Sequence, residues 1–166
     1  MRGSLILVAL LLTQPLVAQQ PAQPAAPPAP PPAPTMSEAL KALEAARAAA
    51  AKIGVNVSCA VVDSRGDLIA LTRMDGARFF TADVARGKAQ VSAMFGQPSG
   101  NLTQFGASPS FSNLNTTAQG RLYPVQGAVP ISRTNQIIGA IGCSGAASQQ
   151  DEDAAKAGLA GFEVTR

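Results

Sequence analysis

Apolar positions recur with two different periods along residues 36–166, and the changes of period divide the chain into elements. Leu40, Leu43, Ala46, Ala50 and Ile53 repeat near helical spacing in EALKALEAARAAAAKI, which predicts a helix over 38–53, capped by Ser37 and closed by Gly54. The period then drops to two. Val55, Val57, Cys59 and Val61 share one face of a predicted strand over 55–62, and Asp63-Ser64-Arg65-Gly66 turns it into a second strand over 67–73, giving a hairpin. Asp75-Gly76 ends that strand. Thr81 is the expected cap of a helix over 82–95, with Val84, Ala85, Ala89, Val91, Ser92 and Phe95 on its inner face and Gly96-Gln97-Pro98 as its stop.

Residues 99–120 are rich in Ser, Asn, Thr, Gln and Gly, with Phe105 and Phe111 isolated among them. A segment of this length without a clear period is expected to be a functional loop or to contain a short helix. Residues 121–125 read as a third strand. Residues 128–131 and 137–143 are two apolar runs around the polar turn 132–136, the signal of a second hairpin. Beyond Ser144 and Gly145, Ser148 and Asp151 have the spacing of a capping box for a helix over 149–162. Asp151, Glu152 and Asp153 crowd its first turn, where the helix dipole favours negative charge, and that role accounts for them better than a carboxylate metal site. Hairpins joined by helices predict an α+β fold with an antiparallel sheet of about five strands and flanking helices, not a parallel nucleotide-binding sheet.

The first 35 residues follow another logic. Arg2, an apolar run over 5–12 and the small residue Ala18 predict a signal peptide over 1–18, hence a periplasmic or secreted protein. The apolar run is short of the roughly 20 residues a spanning helix needs, so stable membrane insertion after cleavage is not expected, although an uncleaved anchor is the rival reading. Residues 19–35 hold eight prolines and no charge, and are expected to be a disordered, extended tether. That leaves one domain over 36–166.

The whole chain carries a formal charge of +3 with no clustered Lys and Arg, which argues against a nucleic-acid partner. It has no histidine, so Ser-His-Asp and Cys-His catalysis and His-dependent zinc sites are excluded. Cys59 and Cys143 are its only cysteines. They either form a disulfide in an oxidising compartment or stand as two buried thiols.

The series SCAVVDSRGDLIALTRMDGA (58–77), ARGKAQVSAMFG (85–96), GAVPI (127–131), IIGAIGCSGA (137–146) and QDEDAAKAG (150–158) resembles the GlcG/HbpS family, which includes the C-terminal domain of PduO-type proteins. The resemblance runs in order over nearly the whole of 36–166. It implies a profilin-like topology, assembly into homo-oligomers and a binding module for haem or a related tetrapyrrole. Two departures stand out. Haem ligation by histidine, associated with PduO-type domains, is impossible here, so the iron would use an oxygen or sulfur ligand or the group would be held mainly by contacts to the macrocycle. Ala128 stands where many members have glycine. The threonine ligand associated with secreted relatives has Ser110, Thr116 and Thr117 as its nearest counterparts.

Candidate site residues follow, each with a plainer role beside it. Met74 is a soft iron ligand, and Asp75 a polar anchor or a turn former. Arg86 and Lys88 are cations for a haem propionate or another carboxylate, or solvated helix charges. Tyr123 is a phenolate ligand or a packing residue. Gly142, Ser144 and Gly145 offer amide donors to an anion or simply a tight turn. The leading expectation is an exported, non-enzymatic binding protein for a small-molecule ligand. The alternatives are an enzyme or accessory protein acting on a small hydroxy acid near Asp75, Lys88 and residues 110–117, and a structural oligomer that presents a partner-binding surface.

Overall fold

A computed structural model describes residues 32–163; the predicted signal peptide and most of the proline-rich tether lie outside the described residues. The elements run α1 (Met36–Lys52), β1 (Ser58–Asp63), β2 (Leu68–Arg73), α2 (Thr81–Phe95), a 3₁₀ turn (Ser99–Leu102), α3 (Thr103–Gly106), α4 (Pro109–Thr117), β3 (Ala128–Arg133), β4 (Gln136–Ser144) and α5 (Ser148–Glu163). The sheet has the order β2-β1-β4-β3 with every neighbouring pair antiparallel. This is the expected α+β architecture with four strands in the sheet.

Helices α1 and α5 pack on one face of the sheet and α2 on the other, so all six positions of β1 are buried. The predicted alternation is realised. Val57, Cys59 and Val61 join Ile141 and Cys143 of β4 and Leu43 of α1 in the main core, while Val62 and Ala140 face Ala89 and Ala93 of α2. Packing on the α2 side is close: a Cβ built on Gly142 would lie 2.6 Å from Ala85 O and 2.8 Å from Ala89 N, so the helix backbone rests directly on β4. Ala128 occupies a fully buried position in β3, and its N–H donates to Ser99 Oγ (3.0 Å).

Residues 121–125 do not form the fifth strand. The Tyr123 N–H donates to Gly87 O of α2 (3.4 Å), and Pro124 has no N–H to give to a ladder. Residues 99–120 contain short helical segments, the second of the two expectations, and Leu102 and Phe111 pack with Leu122 and Val91. Ser108 accepts from the Phe111 N–H (3.1 Å) and Pro109 occupies the first turn, a Ser-Pro helix start that hydrophobic periodicity does not reveal.

Three helix starts differ from the sequence reading. Helix α1 is capped by Thr35, not Ser37: Thr35 Oγ1 accepts from the Glu38 N–H (3.2 Å) and Glu38 Oε2 accepts from the Thr35 N–H (2.8 Å), a reciprocal box that places Ser37 inside the first turn. Pro34 is buried against Gly139, so the folded unit begins inside the segment expected to be tether. Thr81 begins α2 without capping it; its hydroxyl lies 2.8 Å from Ser58 Oγ and donates to Arg78 O (2.9 Å). Ser148 likewise begins α5 without the expected box. Gln150 Oε1 accepts from the Ala147 N–H (3.2 Å), and Asp151 Oδ1 reaches the Ala146 N–H (2.9 Å).

Glu38 also receives a hydrogen bond from Arg133 (2.6 Å). Its carboxyl is held below the ordinary 4.5, chiefly by the Thr35 backbone N–H, with the Thr35 hydroxyl and the Arg133 guanidinium adding to the effect against partial burial. A carboxyl whose pKa is lowered by folding contributes stability that is complete above its unfolded value and is lost as pH falls through the folded one. Glu38→Gln is therefore expected to flatten the acid limb of the stability curve below about pH 4.5, as read from urea midpoints across that range.

Candidate functional site

The sequence brings α2 and residues 118–123 together through Gly87. A side chain there would strike Arg121 O and the Tyr123 ring, so the glycine lets the extended segment lie flat along the helix. Arg86 and Gln90, one helical turn apart, share the α2 face that borders this segment. The result is a cleft with two lobes that share Arg86, Gln90 and Arg121. One lobe, about 260 Å³, is closed by Phe80, Asp83, Gln119 and Tyr123. The other, about 220 Å³, is bordered by Arg65, Asp67, Met94 and Leu122.

Phe80 takes a left-handed backbone conformation, with φ of 67°, which is costly for a bulky side chain. That conformation precedes α2 and sets the ring edge-on to Tyr123, with centroids 6.4 Å apart, and 5.9 Å from the ring of Phe79. Phe79 itself is 93% exposed. An aromatic rim thus borders a cationic floor.

The charges on that floor are unevenly satisfied. Arg65 is held by Asp63 (3.5 Å) and Asp67 (3.4 Å), and Arg121 Nε donates to Ala118 O (3.1 Å). Gln90 Nε2 donates to Gly66 O (3.0 Å), which fixes the orientation of the amide because a carbonyl can only accept. Gln90 Oε1 and Arg86 Nε are then buried without a hydrogen-bond partner among the described residues. A buried orphan of this kind costs about 1–3 kcal/mol.

Of the residues singled out from the sequence, Arg86 and Tyr123 come together in this cleft. Lys88 does not join them, and it is not the solvated helix charge expected. Two residues on from Arg86, it points to another side of α2, is 3% exposed, and donates to Asp151 Oδ2 (2.8 Å) and Cys143 O (3.2 Å). Both acceptors are internal, and their presence explains why a lysine is buried there. Met74 and Asp75 line a separate open depression of about 360 Å³ with Arg47, Asn56 and Arg73. Ser110, Thr116 and Thr117 are exposed on or beside the outer face of α4, where Thr116 and Thr117 donate back to Ser112 O (2.9 Å) and Asn113 O (3.2 Å).

At the Gly142–Ser144–Gly145 corner the Ala146 amide is already bound by Asp151, and Gly145 is required by close approach to Asn56 O (2.5 Å to a built Cβ) at φ 144°. Cys59 and Cys143 face each other across β1 and β4 and are disulfide-bonded. Among the described residues no group of three or more His, Cys, Asp or Glu is placed to hold a metal ion, and no helix is long and apolar enough to cross a membrane. Sequence reading missed Gln90, Arg121, Phe80 and Asp83. The four-residue spacing of Arg86 and Gln90 was the available signal for the first.

Comparison with known proteins agrees with this architecture. A family model described as haem degrading protein HbpS-like matches residues 35–160, and the chain belongs to that family. It is 33% identical over 113 residues to an uncharacterized 15.0 kDa protein from the dhaT-dhaS intergenic region of Citrobacter freundii, covering 66% of this chain and 78% of that one. Among solved structures it is similar to protein ORFY of Klebsiella pneumoniae, with a TM-score of 0.74 and 27% identity over 86% of this chain and 98% of that one. It is also similar to a double mutant of Streptomyces reticuli HbpS, with a TM-score of 0.71 and 29% identity over 85% and 97%.

Proposed function

We propose that this chain is an exported ligand-binding protein, not an enzyme, whose ligand is haem or a related tetrapyrrole. The observation that carries the reading is membership of the HbpS-like family over nearly the whole described fold. The residues present suit such a group. Phe79, Phe80 and Tyr123 offer an aromatic surface to a flat macrocycle, and Arg86 and Arg121 offer cations to its propionates. With no histidine in the chain and both cysteines in the disulfide, Tyr123 is the oxygen ligand at hand in this cleft. Bound haem would supply a redox-active iron. The disulfide and the apolar leader over 1–18 support export, since such bonds persist in oxidising compartments.

Titration with haemin, followed at the Soret band, is expected to give a saturable, stoichiometric change that Tyr123→Phe shifts in wavelength and Arg86→Met weakens. Absence of saturation would remove the haem reading. The family's description as haem degrading favours a second reading in which the macrocycle is consumed. Progressive loss of the Soret band with dioxygen and an added reductant together, against a stable band when either is left out, would favour that reading over simple binding. Export predicts that protein recovered from the native host begins at Gln19, which N-terminal sequencing reads directly.

A further inference from the structure

The floor of the cleft carries a demand that an aromatic rim does not meet. Arg86 has no ion pair or hydrogen bond among the described residues, although Asp83 and Asp67 line the same cleft. Its buried Nε–H lacks an acceptor, and one turn away the buried Gln90 Oε1 lacks a donor. A partner that satisfies both must accept at one atom and donate at another close by. A simple anion such as chloride or a bare carboxylate accepts only, so it would leave the Gln90 oxygen unpaired.

Charge and size narrow the class. The lobe that contains Phe80 and Tyr123 holds Arg86 and Arg121 against Asp83, a single net positive charge, which a monoanion neutralises and a zwitterion or a phosphate dianion does not. The lobe that contains Phe80 and Tyr123 is about 260 Å³, below the roughly 300–1,000 Å³ of drug-sized sites, so it suits a small molecule lying wholly inside. Its lining includes the aromatic pair Phe80 and Tyr123 and the two arginines Arg86 and Arg121.

We infer that this lobe binds a small aryl 2-hydroxycarboxylate. The carboxylate accepts from Arg86, whose planar guanidinium carries Nε and Nη side by side, with Arg121 flanking. The hydroxyl donates to Gln90 Oε1, whose amide is held in register by Gly66 O (3.0 Å). The ring packs against Phe80 and Tyr123. A site whose buried acceptor expects a hydroxyl discriminates against the analogue lacking it, because binding then leaves that acceptor unpaired. The inference goes beyond the tetrapyrrole reading, and because it uses the same Phe80, Tyr123, Arg86 and Arg121 the two ligands would compete for the cleft, so the acid is tested with haem absent.

The test uses the full mature chain without haem and three probes in isothermal titration: mandelate, phenylacetate, which lacks the hydroxyl, and lactate, which lacks the ring. Mandelate is expected to bind saturably at one per chain, with each of the other two at least about tenfold weaker. Arg86→Met should abolish binding. Gln90→Leu should bring mandelate and phenylacetate to equal affinity while retaining both, a change in preference that a loss of fold would not produce. Arg78→Met, outside the cleft, should leave all three affinities unchanged. The inference is overturned if mandelate shows no saturable binding, if phenylacetate matches it in the parent protein, if inorganic phosphate or phenylglycine binds more tightly, or if well-folded Arg86→Met binds as the parent does. Haemin binding in the same preparation decides the earlier reading separately.

Discussion

Replacing Lys88 with methionine is expected to destabilise the fold by about 3–5 kcal/mol, the usual cost of removing one partner from a buried ion pair. The side chain sits between α2 and the start of α5, where Lys88 Nζ meets Asp151 Oδ2 at 2.8 Å and Cys143 O at 3.2 Å. Without it, Asp151 stays 2% exposed with a charge and no counterion, and Cys143 O loses the donor it has there. Asp151 also binds the Ala146 N–H, so the damage reaches the corner that leads into α5. The loss would consume much of the roughly 5–15 kcal/mol that holds a domain of this kind folded. Urea unfolding should show a lower midpoint with an unchanged slope. The double variant Lys88→Met with Asp151→Leu should recover a substantial part of it, because an apolar pair carries no stranded charge. Equal stability of the single variant and the parent would show that the pair does not carry this weight. Little space exists for a longer cation, since even a Cβ on Gly127 would come within 2.6 Å of Lys88 Nζ.

The second large effect concerns the cross-link. Cys59 and Cys143 are 84 residues apart in sequence and directly opposite in the β1–β4 register, with Cα atoms 4.1 Å apart. Closing so long a loop removes freedom from the unfolded chain, and the paired variant Cys59→Ala with Cys143→Ala is expected to lose about 2–4 kcal/mol. Both residues are at most 1% exposed beneath α1 and α5. A reductant should therefore leave the native protein oxidised over the time of an unfolding experiment and lower the midpoint only once unfolding exposes the bond. A parent midpoint insensitive to reductant, matched by the double variant, would contradict the role given to the bond.

The elements were legible because burial follows period. Leu43 and Ala46 lie on the buried face of α1, and Cys59 and Val61 on the core face of β1, as their spacing implies. What failed was decided by competition among nearby polar groups. Thr35 outcompeted Ser37 as a cap because only Thr35 has a glutamate three residues on to reciprocate. Residues 121–125 look like a strand in isolation, yet α2 offers Gly87 O to the Tyr123 N–H before any sheet edge does.

The site was legible only in part. Arg86 and Lys88 read alike as neighbours in sequence, but positions two apart do not share a helix face, so one borders the cleft and the other is buried against Asp151. Arg121 reaches the cleft through a tertiary contact made possible by a missing Cβ at Gly87, and Phe80 through a left-handed residue just before α2, and no local pattern announces either.

Tyr123 has a further consequence, which is optical. It is the only tyrosine in a chain with no tryptophan, so the near-ultraviolet emission of the protein arises almost wholly from one ring at the mouth of the cleft. A change in that emission on adding a colourless compound reports on this location without any label, and energy transfer to a coloured one gives a distance from a single known donor. The same economy makes the protein faint in absorbance. Its concentration in any titration has to be set by peptide-bond absorption or amino-acid analysis.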